Sequence, residues 1–264
     1  MTPQNDDFTG DRRRALAKWA AWVVSLVLLF ASVRLISGRT VWAFAADGPR
    51  QALDLARRGL PPEWSWFGSL LEPLWETINM ATLGTLVAMA MALPIAFLAA
   101  RNTAPWLPLR WACLGVIVAS RSINSLVWAL LLVAIVGPGV LAGAAAIALR
   151  SIGFIAKLVY EAVEEISPEP VEALRATGAG RLQVFSWSIV PQVFPTIVGV
   201  SVFRWDINIR EAAVLGLVGA GGIGLPLEAS IASLEWSRVS LILLVILGLV
   251  VISELISKRL RTVE

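Results

Sequence analysis

The chain alternates long apolar runs with short polar breaks, and the runs have the lengths of helices that cross a bilayer. A spanning helix needs about 20 mainly apolar residues. Stretches over residues 19–36, 74–100, 112–136, 140–163, 186–218 and 239–256 meet that requirement. The pattern predicts an all-α polytopic transmembrane helical bundle of about six spans. The first run follows Arg12, Arg13, Arg14 and Lys18, with no small-residue cleavage site after it, so it reads as an uncleaved anchor. Residues 1–18 then form a cytoplasmic N-terminal segment and residues 19–264 a single transmembrane domain. Residues 38–71 are polar and turn-rich. Within them, 49–58 is expected to be a short surface helix, and Trp64, Trp66 and Phe67 suit a membrane interface.

Lys and Arg set the orientation, because cytoplasmic loops carry more of them. With the N-terminus inside, the inner segments hold Arg12, Arg13, Arg14, Lys18, Arg101, Arg110, Arg175, Arg181, Lys258, Arg259 and Arg261. These outnumber Arg39, Arg50, Arg57, Arg58 and Arg238 outside. Both termini and the polar segment after residue 163 are therefore expected in the cytoplasm.

Composition narrows the chemistry. Hydrophobic residues make up 57% of the chain and charged residues only 16%, where a soluble domain carries about 25% charged. There is one cysteine, Cys113, and no histidine. A disulfide within one chain, a zinc centre with histidine ligands and a Ser-His-Asp triad are excluded. Any catalysis would fall to carboxylates, Lys or Ser, such as Glu161, Glu164 or Glu165. The basic residues sit at membrane edges rather than in one patch, which argues against nucleic acid. No Gly-x-x-x-x-Gly-Lys-Ser/Thr loop is present to hold a nucleotide.

The polar segment between the fourth and fifth spans has helix-start chemistry. Ser167 can cap free amides, Pro168 suits the first helical position, and Glu169 and Glu172 sit at the positive end of the dipole. Gly178 and Gly180 let the chain stop and turn, giving a short helix over 168–177. Glu172-Ala173-Leu174, three residues, then Gly178, with Val190-Pro191 closing the run, resembles the EAA loop of ABC importer permeases; Leu174 and Ser188 depart from the pattern. The resemblance implies a type I importer permease fold, with 164–185 as a coupling loop seated on a separate ATPase subunit. It further implies two ATPase subunits, which would hold ATP and Mg while this chain holds no cofactor. A second permease (identical or sister), an extracytoplasmic substrate-binding protein and the lipids of a bacterial inner membrane complete the setting. Glu172, Ala173, Arg175 and Gly178 are the implied docking residues.

Gly219-Ala220-Gly221-Gly222-Ile223-Gly224 matches Gly-x-Gly-x-x-Gly. The dinucleotide reading needs a preceding strand, and a membrane span precedes this run. It is an irregular turn, similar to the segment after the fifth span in importer permeases. That likeness makes Gly219, Gly221, Gly222 and Gly224 part of an outer gate.

Charges inside the spans carry the remaining information. Arg121 and Asn124 fall in the third, Arg150 in the fourth, and Arg204, Asp206, Asn208, Arg210 and Glu211 in the fifth. Each ionised group at mid-depth costs about 2.5–3.5 kcal/mol on insertion scales. Asp206 and Arg210 can pair at four-residue spacing. Arg121, Arg150 and Arg204 either line an anion path or bind carboxylates of neighbouring spans. The runs Arg121-Ser122-Ile123-Asn124, 203–210 and 218–224, with Leu60-Pro61-Pro62-Glu63, resemble the phosphonate branch of these permeases. That branch implies phosphonate, phosphite or hypophosphite as cargo, with Arg121, Asn124, Arg150, Arg204 and Asn208 along its path. An amino-acid cargo such as methionine, a membrane-embedded enzyme and a secondary transporter are the alternatives; the missing internal repeat weighs against the last.

Overall fold

A computed structural model describes residues 7–261. Residues 1–6, the start of the expected N-terminal segment, and 262–264 lie outside the described residues. The chain divides after Arg57 into two compact units. The first unit holds α1, Asp7–Arg39, one uninterrupted helix whose stretch Leu16–Arg39 is long and apolar enough to cross a membrane. It also holds most of α2, Trp42–Gly59, which begins well before the expected 49–58 and carries Pro49 inside it. Trp42 Nε1 donates to Ser37 Oγ at 3.2 Å, tying the start of α2 to the end of α1.

The second unit opens with a 3-10 turn, Trp64–Leu70, and continues through α3 (Leu71–Ala99), α4 (Leu107–Ser122), α5 (Ser125–Val136) and α6 (Val140–Glu164). A short α7 (Pro168–Ala176) and α8 (Arg181–Val184) follow. A π turn, Phe185–Ile189, leads into α9 (Val190–Leu215), and α10 (Gly224–Ala232) and α11 (Trp236–Arg261) complete the unit. No strand occurs among the described residues.

Helix α6 packs most extensively on α3, and α9 covers both. Lipid gives helices no hydrophobic reason to associate, so close packing of small side chains must hold them. Ala81, Ala88, Ala92, Ala96 and Ala99 of α3 are fully buried, at the spacing that places them along one helical face. Ile147, Ile155, Ala156, Val159 and Val163 of α6 are fully buried too, and most of both sets meet in one core cluster. Leu86 and Val87 of α3 and Leu243 and Leu247 of α11 are exposed, as lipid-facing residues should be.

Three sequence expectations change. The third span, 112–136, is broken: α4 and α5 meet at 90° across Ser122–Ser125. Asn124 makes the break possible, because its side chain accepts the Leu126 N–H at 3.0 Å and so starts a new helix. Ser120 Oγ bonds the Leu149 carbonyl and accepts the Gly153 N–H at 2.9 Å, anchoring the end of α4 to α6. The fifth span begins at Arg181 and includes the π turn. The glycine turn leads into a further helix, α10, that the hydrophobic pattern does not separate from it. Among the described residues, five helical segments are long and apolar enough to cross a membrane, and six candidates result if the bent α4–α5 pair is one span.

Candidate functional site

Three regions carry polar chemistry, and α9 links them. At its N-terminal end lies the loop expected to couple to an ATPase, at its C-terminal end the glycine turn, and between them a polar core.

In the polar core, Arg204 is 1% exposed and Asn208 and Ser151 are fully buried. Arg204 Nε donates to Ser151 Oγ at 2.9 Å, Ser151 Oγ to Asn208 Oδ1 at 3.1 Å, and Asn208 Nδ2 to Thr85 Oγ1 at 2.8 Å. The chain of bonds thus joins α9, α6 and α3. Glu211, one residue beyond Arg210, receives two cations on a single oxygen. Arg150 Nη1 bonds its Oε1, and Arg204 Nη2 reaches the same Oε1 at 3.3 Å. Glu211 Oε2 is buried with no hydrogen-bond partner among the described residues. Arg121, at the last turn of α4, and Arg204 each place the guanidinium 5.0 Å from the centre of the Phe154 ring, within range of a cation–π attraction. Arg121 has no carboxylate within ion-pair reach among the described residues. A cavity of about 310 Å³ opens beside this cluster at the α4–α5 break, lined by Asn124, Arg150, Arg210 and Glu211 with Leu126 and Val214.

Of the five residues assigned to a substrate path, Asn124 and Arg150 therefore line the cavity. Arg204 and Asn208 lie behind it, and Arg121 joins the group through Phe154. Arg150 and Arg204 find a carboxylate from their own bundle, Glu211. Asp206 pairs with Arg210 at 2.8 Å as its spacing allows, and also accepts from Ser253 Oγ at 2.6 Å. Ser151, Thr85 and Phe154 are the members that the sequence reading left out, and Glu211 was read there only as a charge within the fifth span. Glu211 was detectable, since it lies seven residues from Arg204 and so two turns along the same helix face.

In the coupling loop, Glu172, Ala173, Arg175 and Gly178 are all exposed, and α7 has no buried residue. Pro168 takes a first-turn position as expected. Ser167 sits at the N-cap but makes no side-chain cap bond. Its own N–H donates to Gln192 Oε1 at 3.1 Å. The Glu169 carboxyl is held below the ordinary carboxylate range, first by its own backbone amide and then by the Ser167 hydroxyl. Gly178, at φ +81°, ends α7: its N–H bonds the Arg175 carbonyl at 3.0 Å, and the Ala179 N–H bonds Leu174 at 3.3 Å, the paired closure that favours glycine at this position. Glu164 ties the loop to the bundle by accepting the Arg101 N–H at 2.8 Å and facing Arg110 at 3.7 Å.

At the glycine turn, Gly219, Gly221 and Gly222 have positive φ, and Gly224 opens α10 with ordinary helical backbone. The turn is docked, not open. Glu76 Oε2 accepts the Gly222 N–H at 3.0 Å, Thr77 Oγ1 accepts the Ile223 N–H at 2.8 Å, and Gly219 O accepts the Gly139 N–H at 3.0 Å. A Cβ on Gly222 would lie 2.6 Å from Thr77 Oγ1. Far apart in sequence, Glu63 of the Leu60-Pro61-Pro62-Glu63 run accepts from Arg238 Nε at 3.0 Å.

Known proteins are similar to this chain in sequence and fold. Residues 92–262 fit the family described as "Binding-protein-dependent transport system inner membrane component". The phosphite transport system permease protein PtxC of Stutzerimonas stutzeri is 41% identical over 78% of this chain and 75% of its own length. The phosphate-import permease protein PhnE of Mycolicibacterium smegmatis is 36% identical over 84% of this chain and 41% of its own length. Among solved structures, an inward-facing conformation of the MetNI methionine ABC transporter aligns with a TM-score of 0.65 at 24% identity, over 76% of this chain and 99% of that one, which speaks for the fold. With 171 consecutive positions in the family pattern and a close permease relative over most of its length, this chain belongs to the binding-protein-dependent transport system inner membrane components, as a non-catalytic ABC importer permease.

Proposed function

We propose that this permease carries a phosphonate or a reduced phosphorus oxyanion, such as phosphite or hypophosphite, into a bacterial cell. The observation that carries the reading is the Arg150–Glu211–Arg204 cluster, with Arg121 beside it and a cavity of about 310 Å³ in front. Two cations share one carboxylate and a third, Arg121, lies beside them over Phe154, leaving an excess of positive charge in an apolar bundle, where ionised groups mark ion pathways. Guanidinium forks match the oxygens of phosphorus oxyanions. The names of PtxC and PhnE, for phosphite and phosphate, agree in chemical class. Arg121, Asn124, Arg150, Arg204 and Asn208 form the path.

An extracytoplasmic binding protein delivers the anion at the glycine turn, where Gly219, Gly221, Gly222 and Gly224 form the gate. Glu172, Ala173, Arg175 and Gly178 meet one of two ATPase subunits, which bind ATP and Mg. A second permease completes the pore, and both termini face the cytoplasm. Proteoliposomes holding the permease with its ATPase and binding protein test the reading. ATP-dependent uptake of phosphite or hypophosphite, inhibited by an added phosphonate, is the expected result. Uptake of methionine with no phosphorus oxyanion, or uptake without the ATPase, overturns it.

A further inference from the structure

We infer that Glu211 is a displaceable counterion, an internal anion that occupies the oxyanion site until the cargo replaces it. The inference rests on the reading of the cavity as part of the oxyanion path.

Three features of the cluster lead there. First, Arg150 and Arg204 converge on one oxygen of Glu211, although a carboxylate has two. Its other oxygen is buried and unbonded among the described residues. Leaving a buried acceptor unmade is costly, so Glu211 is a poor fit to the cations it neutralises. A tetrahedral oxyanion has two or more oxygens in a fixed splay and can accept from each guanidinium separately. Second, the carboxylate is reachable, because Glu211 and Arg150 both line the cavity beside the α4–α5 break. Arg204 stays fixed behind them, held by Ser151 and stacked on Phe154. Third, the displaced carboxylate has somewhere to go. Arg210, half-exposed, lines the same cavity, where the carboxylate would share its guanidinium with Asp206 at 2.8 Å and Glu254 at 3.9 Å.

The exchange makes both entry and exit possible. Two uncompensated guanidiniums in an apolar bundle would hold a phosphorus oxyanion and not release it. With Glu211 present, every anion competes with a tethered one, so a weakly bonding anion such as chloride does not occupy the site, and a bound cargo can be pushed off. A ligand's apparent affinity falls in proportion to the fraction of time its site is free.

The test uses the permease–ATPase complex with labelled phosphite. Glu211→Gln keeps the side-chain shape and removes the competing charge. Phosphite binding to the complex is expected to tighten by about tenfold or more, while ATP-driven uptake with binding protein falls by a similar factor because release slows. Binding and uptake both within about twofold of wild type, or weaker binding, overturn the inference. If the Gln variant does not accumulate, Glu211→Asp replaces it. The shorter carboxylate keeps the charge but loosens its hold on the guanidiniums, and phosphite binding is expected to tighten by about threefold; unchanged or weaker binding overturns the inference. Wild-type uptake separates the two levels. If wild type carries no phosphorus oxyanion, the functional reading itself fails. If it carries phosphite and the variants behave like wild type, only the counterion role fails.

Discussion

The coupling loop and the arginine cluster are both polar interruptions of an apolar chain, yet they are built in opposite ways. The loop takes its form from neighbours in sequence. Pro168 starts α7, Gly178 ends it, and the side chains proposed to meet a partner are exposed. The cluster takes its form from distant residues: Thr85 from α3, Arg121 from α4, Arg150, Ser151 and Phe154 from α6, and Arg204, Asn208 and Glu211 from α9. A surface built locally can change its partner without disturbing the fold. A buried network cannot change one member without stranding another.

The difference should appear as a separation of stability from function. The largest effect is expected for Arg204→Met, which removes one of the two cations on Glu211 and the Nε donor to Ser151 in the interior. Breaking a buried ion pair from one side costs about 3–5 kcal/mol, so thermal unfolding of the purified complex should shift strongly and uptake should disappear. An unshifted transition would erase the contrast between the two regions. Gly222→Ala falls between them. It forces a Cβ toward Thr77 in left-handed backbone, at a cost of about 1–3 kcal/mol, and uptake should fall along with stability.

Glu172→Lys sharpens the comparison from the other side. An exposed substitution of this kind alters stability by no more than about 0.5 kcal/mol. Uptake and cargo-stimulated ATP hydrolysis should nevertheless fall by about tenfold, with less ATPase retained when the permease is captured by a tag. A stability loss matching the activity loss would remove the distinction. The smallest effect is expected for Ser167→Ala. Loss of an N-cap bond normally costs about 1 kcal/mol, but Ser167 makes none; the unfolding temperature should therefore stay put, and a full cap-sized loss would show that the hydroxyl does serve the helix.

The same contrast explains what the sequence disclosed. The features that place α7 lie within a short stretch, and cap chemistry and spacing reveal them one residue at a time. The number of spans follows from run length alone. The α4–α5 break escaped because no glycine or proline marks Ser122-Ile123-Asn124; the signal was Asn124, a good helix-starting residue inside an apolar run. The cluster escaped in part. Arg121, Arg150, Arg204 and Glu211 all stood out as costly charges, but the pairing of Arg150 and Arg204 with Glu211 did not. Ion pairs at four-residue spacing drew attention to Asp206 and Arg210, and the seven-residue relation of Arg204 to Glu211 was passed over. Which helix faces which neighbour is a matter of three-dimensional register, and one sequence does not display it.

The bend between α4 and α5 has a consequence for biogenesis. At a rise of about 1.5 Å per residue, neither α4 nor α5 is as long as the hydrocarbon is thick. Unpaired backbone between them is tolerated at membrane depth only where protein covers it or a cavity bathes it; here a cavity opens at Asn124, and α6 holds the end of α4 through Ser120, Leu149 and Gly153. This hairpin is therefore not a unit that the insertion machinery can release into the bilayer on its own. It must wait beside the translocon until α6 has been synthesised.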